Sequence, residues 1–106
     1  MKEESTLTSI IQSEINLLKR HIKVLKAVVE KEPVGIIRLS EITGYPQHMV
    51  RYSLHVLEQE GVIEPSPRGA VTTRKLKSVI ESLKKVLSDI DIEINDLIKE
   101  LNELPR

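Results

Sequence analysis

The stretch Arg38–Thr73, RLSEITGYPQHMVRYSLHVLEQEGVIEPSPRGAVTT, contains the signals that decide the fold of this chain. Gly44 permits the left-handed backbone that ends a short helix, and Pro46 opens the next helix at a position that has no intrahelical N–H bond to lose. The apolar stripes that lock these two helices together are predicted to consist of Leu39, Ile42, Val50, Leu54 and Leu57. The pattern predicts a short helix, a tight turn, a longer helix over 46–60 and a small β-hairpin over 62–73.

This order of elements is the one expected of a winged helix-turn-helix, which places one helix in a groove of DNA. The segment 44–63, GYPQHMVRYSLHVLEQEGVI, resembles the recognition-helix segment of ArsR/MarR-like winged-helix regulators. The matching positions are Gly44, Tyr45, Pro46, Val50, Leu54, Leu57, Glu58 and Gly61. The following EPSPRGAVTT is similar to small predicted transcriptional regulators of archaea. The resemblance covers about a third of the chain and implies a DNA-binding regulator of transcription.

Polar side chains of the longer helix are the candidate DNA contacts. They share one stripe, opposite the apolar stripe, and comprise Gln47, His48, Arg51, Tyr52 and His55. Gln47 and His48 lie in the first turn, where an inserted helix reaches base edges, and Arg51 can bond guanine or a phosphate. Arg68 at the tip of the hairpin is a further candidate for the minor groove or a phosphate. The alternative is that this stripe is an ordinary solvated helix face.

The C-terminal segment carries a heptad seam. Apolar residues with alternating spacings of four and three run without a break through Leu76, Ile80, Leu83, Leu87, Ile90, Ile94, Leu97, Leu101 and Leu104. This pattern predicts a coiled-coil helix that joins two copies of the chain. The alternative is packing of the helix on the N-terminal helix of its own chain, and a dimeric bundle of two N-terminal and two C-terminal helices combines both. The pattern leaves parallel and antiparallel orientations open.

The remaining segments supply the scaffold. One long helix is predicted over 5–31, followed by an extended stretch over 34–36 that pairs with the hairpin, and a short helix over 37–43. The hairpin is predicted to pair 62–64 with 70–72 across a five-residue loop. Thr72 or Thr73 is predicted to cap the C-terminal helix.

Composition sets the outer bounds. The chain has 106 residues, so it buries a limited core and dimerisation is expected. The predicted fold class is mainly α with a small β-hairpin wing, divided into an N-terminal extension over 1–19, a DNA-binding domain over 20–73 and a dimerisation helix over 74–106. Neither a membrane-spanning run nor a signal-peptide pattern appears in the sequence, and there is no cysteine, which predicts a cytoplasmic location without disulfides.

The charge is balanced at 16 basic and 16 acidic residues, so each subunit is expected to bind DNA weakly and the pair jointly. No nucleophile triad, phosphate-binding glycine loop or metal-ligand cluster is present in the sequence, and the three histidines are a poor metal site without cysteines or carboxylates at ligand spacing. We therefore expect no enzymatic activity, no cofactor, no metal and no identifiable small-molecule effector.

Three functions remain open from the sequence. The first is a homodimeric, sequence-specific regulator that binds double-stranded DNA. The second is an architectural, chromatin-type DNA binder, against which the neutral charge argues. The third is a winged-helix module that binds another protein.

Overall fold

The computed structural model describes residues 6–105 and contains, within them, four α-helices and one two-stranded antiparallel sheet. In chain order the elements are α1 (Thr6–Lys31), α2 (Ile36–Thr43), α3 (Gln47–Gln59), β1 (Ile63–Ser66), β2 (Gly69–Thr72) and α4 (Leu76–Asn102). The expectation of a mainly α chain with a small β-hairpin is confirmed. The chain divides into two compact units, the first ending at Arg74 and the second beginning at Lys75.

The core of the first unit lies where α1, α2, α3 and the hairpin meet. The second half of α1 contributes residues with helical spacing, and the buried apolar side chains of the unit are Val24, Ala27, Val28, Val34, Leu39, Val50, Leu54, Leu57, Val62, Ile63 and Ala70. Leu39, Val50, Leu54 and Leu57 therefore lie in the core as predicted. The prediction for Ile42 was wrong, because its side chain is 39% exposed.

The connection between α2 and α3 follows the sequence signals closely. Gly44 has φ of 82° and its N–H donates to the carbonyl oxygen of Ser40 at 2.9 Å, so a left-handed residue ends α2. The hydroxyl of Ser40 donates to the carbonyl oxygen of Tyr45 at 2.6 Å, and the buried Thr43 hydroxyl donates to the Leu39 carbonyl oxygen at 2.7 Å. These bonds fix the angle at which the chain enters α3 through its N-cap residue, Pro46.

The hairpin has a different register from the predicted one. Strands β1 and β2 pair Ile63 with Thr72 and Ser66 with Gly69, so the loop has two residues instead of five. Pro65 lies inside β1, opposite Ala70. Both backbone groups of Ala70 are bonded to Val34, at 2.8 and 3.2 Å, and in an antiparallel sheet they therefore point away from Pro65. The missing N–H of Pro65 consequently costs the hairpin no hydrogen bond.

The bridge between Val34 and Ala70 pairs the segment after α1 with the hairpin as predicted, but the extended stretch is shorter than 34–36 because Ile36 already belongs to α2. It requires a glycine at position 69, because a Cβ there would lie 2.5 Å from the carbonyl carbon of Val34. A second link joins Glu32 to β2, since the N–H of Thr72 donates to the Glu32 carboxylate at 2.8 Å and the Thr72 hydroxyl donates to it at 2.9 Å. The end of α1 is thus attached to the hairpin.

The threonine predicted to cap α4 is engaged elsewhere. Thr72 bonds Glu32, and the hydroxyl of Thr73 donates to the carbonyl oxygen of Gly61. The N-cap position is instead Lys75, which has no side-chain capping hydrogen bond. The prediction was wrong because both threonines are needed to tie the hairpin to the preceding turns.

The second unit is one long helix, α4. Its 27 residues give a length of about 40 Å. None of its residues is buried, and the apolar seam is half-exposed in its first turns and exposed from Val86 onward. Over residues 6–105, no helix combines the length and hydropathy that a membrane crossing requires.

Candidate nucleic-acid interface

The outer face of α3 carries the predicted DNA-contacting side chains. All five of them, Gln47, His48, Arg51, Tyr52 and His55, are exposed. With about 100° of rotation per residue, they span an arc of about 140° around the helix axis. The opposite arc is formed by Val50, Ser53, Leu54 and Leu57, which are buried. The helix is therefore held by one face, and its polar face is left accessible.

Tyr52 occupies the edge of this stripe that adjoins α1. Its ring lies 5.9 Å from the ring of His21, between centroids, and the guanidinium carbon of Arg20 lies 5.7 Å from the centre of the Tyr52 ring. The side chain remains 51% exposed. Tyr52 is thus shared between the polar face of α3 and a contact with α1, whereas the sequence indicated only the first.

At the other edge of the stripe, α3 borders a shallow groove against the beginning of α2. The groove is lined by Gly35, Ile36, Ile37, Arg38, Glu41, Gln47 and Arg51. Two arginines from different helices therefore line the same depression, with the Glu41 carboxylate also in its wall. The N-cap of α2 is Gly35, so no side chain caps the backbone N–H groups of the first turn. These N–H groups add partial positive charge at the groove.

Arg38 was not among the residues that sequence reasoning proposed. It is exposed, and it belongs to α2, whereas the candidates came from the stripe of α3. The signal available in the sequence was a basic residue in the first turn of α2. Only the packing of α2 on α3 shows that Arg38 lies near Arg51.

Arg68 is placed at the tip of the hairpin. It is exposed and lies in the two-residue loop between β1 and β2. The loop is held by Ser66, whose hydroxyl donates to the Gly69 carbonyl oxygen at 2.6 Å and accepts from the Arg68 N–H at 3.3 Å. The guanidinium is therefore carried by an ordered turn.

A polar cluster joins the inner face of α3 to α1. Ser53 is fully buried, its hydroxyl accepts from Nε of Arg20 at 3.0 Å, and it lies 2.7 Å from Nδ1 of His21. Burial, and secondly the charge of Arg20, lower the pKa of His21 below its ordinary value. Both effects favour the neutral imidazole. The sequence signal for this cluster was a serine in the middle of an apolar helix face.

The histidines do not converge on a metal. His21 bonds Ser53, and His48 and His55 lie on the outer face of α3. Among residues 6–105, no three His, Cys, Asp or Glu side chains come together in the manner of metal ligands.

The predicted dimerisation residues form an accessible stripe on α4. From Leu87 to Leu104 the seam residues are exposed, with Leu97 at 63% and Leu101 at 66%. A second accessible apolar stripe runs along α1, through Ile11, Ile15, Ile22 and Val29. Covering such a stripe is favourable, because large apolar areas in water are unfavourable.

Comparison with known proteins shows a relationship of fold. Neither the protein-family models nor the curated protein sequences that were compared with the chain gave a match. The structure is similar to the activation domain of the phage T4 transcription factor MotA, with a TM-score of 0.55, at 19% sequence identity, over 84% of this chain and 96% of that domain. At this identity the similarity establishes a shared fold of helices with a small hairpin, and no shared activity.

Proposed function

We propose that this protein is a homodimeric, sequence-specific regulator of transcription that binds double-stranded DNA through a winged helix-turn-helix. The observation that carries the proposal is the polar face of α3, which is exposed along its length while the opposite face is anchored in the core. In this proposal α3 enters the major groove and the hairpin lies on the backbone or in the minor groove. The sequence resemblance to ArsR/MarR-like regulators supports the same assignment.

The side chains at the start of α3 have the chemistry for reading bases. Gln47 presents an amide that can bond N6 and N7 of adenine, and Arg51 presents a fork that can bond O6 and N7 of guanine. His48 lies in the first turn together with Gln47, and its ring nitrogens can donate or accept a hydrogen bond. These residues are therefore assigned to base contacts.

Other cations are assigned to phosphates. Arg38 lines the groove beside Arg51, so a DNA strand that passes the start of α3 would meet both guanidinium groups. Arg68 extends the contact from the hairpin. Two phosphate-contacting arginines give a modest electrostatic gain per subunit, since each neutralised phosphate contributes separately to affinity. Two linked subunits, each reading one half-site, are needed for firm binding.

The link between subunits is assigned to α4. A helix of about 40 Å with an unbroken apolar seam and no buried residue is typical of a coiled-coil strand. Burying a side chain such as Leu97 against a second copy contributes about 1.5–3 kcal/mol. Several such residues along the seam suffice to hold two copies together at micromolar concentration.

The proposal is tested by selecting ligands from a pool of random duplexes and measuring the affinity of the enriched duplex against a scrambled one. We expect a clear motif, and we expect Arg51→Ala to lose about 1–3 kcal/mol of discrimination between the two duplexes. Arg38→Ala should weaken both duplexes equally and reduce the slope of log affinity against log salt by about 1.

Lys85→Ala is the charge-matched control, because it removes a cation from α4, outside the proposed interface. It should leave both affinities unchanged. Affinity without any enriched motif would contradict sequence-specific reading and favour an architectural role. Equal loss on both duplexes in Arg51→Ala would contradict its assignment to base contacts.

A second candidate function is binding of another protein through the same face of α3. It is favoured by the similarity to a domain that is described as the activation domain of a transcription factor. The aromatic ring of Tyr52, exposed beside Arg51, suits a protein partner as well as a nucleic acid. Absence of duplex binding at low salt would favour this second candidate, since non-specific DNA affinity is greatest under that condition.

A further inference from the structure

Ser53 is a polar residue at the centre of the apolar face that anchors α3. It is fully buried, and its neighbours on that face are Val50, Leu54 and Leu57. A buried hydroxyl requires hydrogen-bond partners, and both partners of Ser53 come from α1. Nε of Arg20 lies at 3.0 Å and Nδ1 of His21 at 2.7 Å.

Chemistry fixes the direction of the bond from Arg20, and the tautomer of His21 decides the direction of the other bond. The N–H of Arg20 can only donate, so it occupies a lone pair of the Ser53 oxygen. The hydroxyl proton of Ser53 can then point at Nδ1 of His21, which accepts it in the neutral tautomer that carries its proton on Nε2. Arg20 and His21 also lie beside the ring of Tyr52. Two consecutive residues of α1 therefore contact two consecutive residues of α3.

Apolar contacts alone define the orientation of a helix loosely, because one aliphatic surface can slide on another. Hydrogen bonds are short and directional, so a rotation of α3 about its axis breaks both bonds to Ser53. The same rotation would turn Gln47 and Arg51 away from their positions on the outer face. The polar cluster is therefore placed to control the angle at which α3 presents that face.

We propose that Ser53 is a positioning residue for DNA reading: with Arg20, His21 and Tyr52 it forms a polar lock between α1 and α3, and protonation of His21 opens the lock. This proposal rests on the proposed function, since it assigns a regulation to the same helix. When Nδ1 of His21 carries a proton it can no longer accept the bond from Ser53. The imidazolium would also lie beside the Arg20 guanidinium, which repels it.

The surroundings of His21 define the direction of the pH effect. Arg20 on its own helix is the charge that acts on the ring, and α3 contributes Tyr52 and Ser53. The elements α2 and β2 also pack on α1, and the lowered pKa of His21 is explained by burial and Arg20 without a charge from either of them. Acidification through this pKa should therefore open the lock.

Two other histidines, His48 and His55, lie on the outer face of α3, which is the proposed DNA-contacting face. The affinity of the unaltered protein alone therefore does not report on His21. A comparison with a variant altered only at His21 isolates the lock.

The test measures the affinity for the enriched duplex at pH 7.5 and pH 5.5, at constant ionic strength. His21→Asn places a side-chain oxygen close to the position of Nδ1, and this acceptor does not titrate. We expect the natural protein to lose affinity on acidification, relative to His21→Asn, by severalfold. Ser53→Ala should bind the enriched duplex more weakly at pH 7.5, and Ser88→Ala, which removes an exposed hydroxyl from α4, should not.

A second measurement does not depend on DNA. Nuclear magnetic resonance of the natural protein follows the imidazole of His21 and the backbone amides of Tyr52 and Ser53 during a pH titration. We expect the amides to shift with the midpoint of the imidazole. Identical pH dependence of affinity in the natural protein and His21→Asn, or amides that do not follow the imidazole, would overturn the lock. Amides that follow it in a protein that binds no duplex would support the lock and refute the DNA-reading function.

Discussion

Replacing Gly69 by alanine is expected to destabilise the first unit far more than replacing Gly35 or Gly44 by alanine. Gly69 has φ of +125° and a Cβ there would lie 2.5 and 2.6 Å from the carbonyl carbon and oxygen of Val34. Both are backbone atoms, so no side chain can rotate away. The hairpin must either move or lose its bridge to Val34.

The expected loss of unfolding free energy combines backbone strain and lost hydrogen bonds, less a gain from the restricted unfolded chain. A non-glycine residue in such a backbone conformation costs about 1–3 kcal/mol. Losing the two hydrogen bonds between Val34 and Ala70 costs about 0.5–1.5 kcal/mol each. Restricting the unfolded chain returns about 0.4–1 kcal/mol. The expected net loss of unfolding free energy for Gly69→Ala is therefore roughly 3 kcal/mol.

Two glycines serve as matched controls. Gly44 has φ of +82° but nothing within 4 Å of a Cβ, so Gly44→Ala should cost only the left-handed conformation, about 1 kcal/mol after the unfolded-state gain. Gly35 has φ of −97° and is equally open, so Gly35→Ala should change stability by less than about 0.5 kcal/mol. The series separates backbone strain from steric contact.

The assay is urea unfolding followed by circular dichroism, at one fixed protein concentration because association shifts apparent stability. The expected order of destabilisation is Gly69→Ala, then Gly44→Ala, then Gly35→Ala. A Gly69→Ala protein as stable as Gly44→Ala would refute the close approach of the hairpin to Val34.

Three further outcomes test other parts of the structure. Leu97→Lys, at a seam position 63% exposed in the single chain, should convert the proposed dimer to a monomer in sedimentation velocity, whereas Lys85→Ala should not. Leu39→Ala, at a fully buried position, should cost about 2–5 kcal/mol of unfolding free energy and Ile42→Ala less than about 1 kcal/mol in the same urea assay. Because the folded-state pKa of His21 lies below its unfolded value of about 6.5, the unfolded state binds more protons and stability should fall as the pH decreases below about 6.5. His21→Asn should flatten this part of the pH profile, and an unchanged profile would contradict the lowered pKa.

The turn between α2 and α3 shows how far local signals reach. Gly44 and Pro46 predict it correctly because each restricts or extends the backbone at its own position, independently of the rest of the chain. The faces of α3 were predictable for a similar reason, since the period of 3.6 residues assigns each side chain to one side of the helix. The prediction that Ile42 is buried was wrong, because this residue lies at the edge of the apolar face of α2 and is 39% exposed. Only the packing angle of α2 decides which edge residues become buried.

The hairpin shows where local signals fail. The predicted loop began at Pro65, and proline cannot donate a hydrogen bond to a sheet. It is tolerated inside β1 because Ala70 directs its hydrogen bonds to Val34, a residue far earlier in the chain. The register therefore depends on a third segment that the hairpin sequence does not contain.

The sequence by itself determined the order of helices and hairpin, the polar and apolar faces of α3, and the unbroken apolar seam of α4, because these follow from the period of a helix and from residues that restrict their own backbone. Only the tertiary structure decided that Arg38 joins Arg51 in one groove, that Pro65 lies in a strand, and that Ser53 is held by Arg20 and His21. These pairings join residues that lie far apart along the chain, and their geometry depends on how whole elements pack.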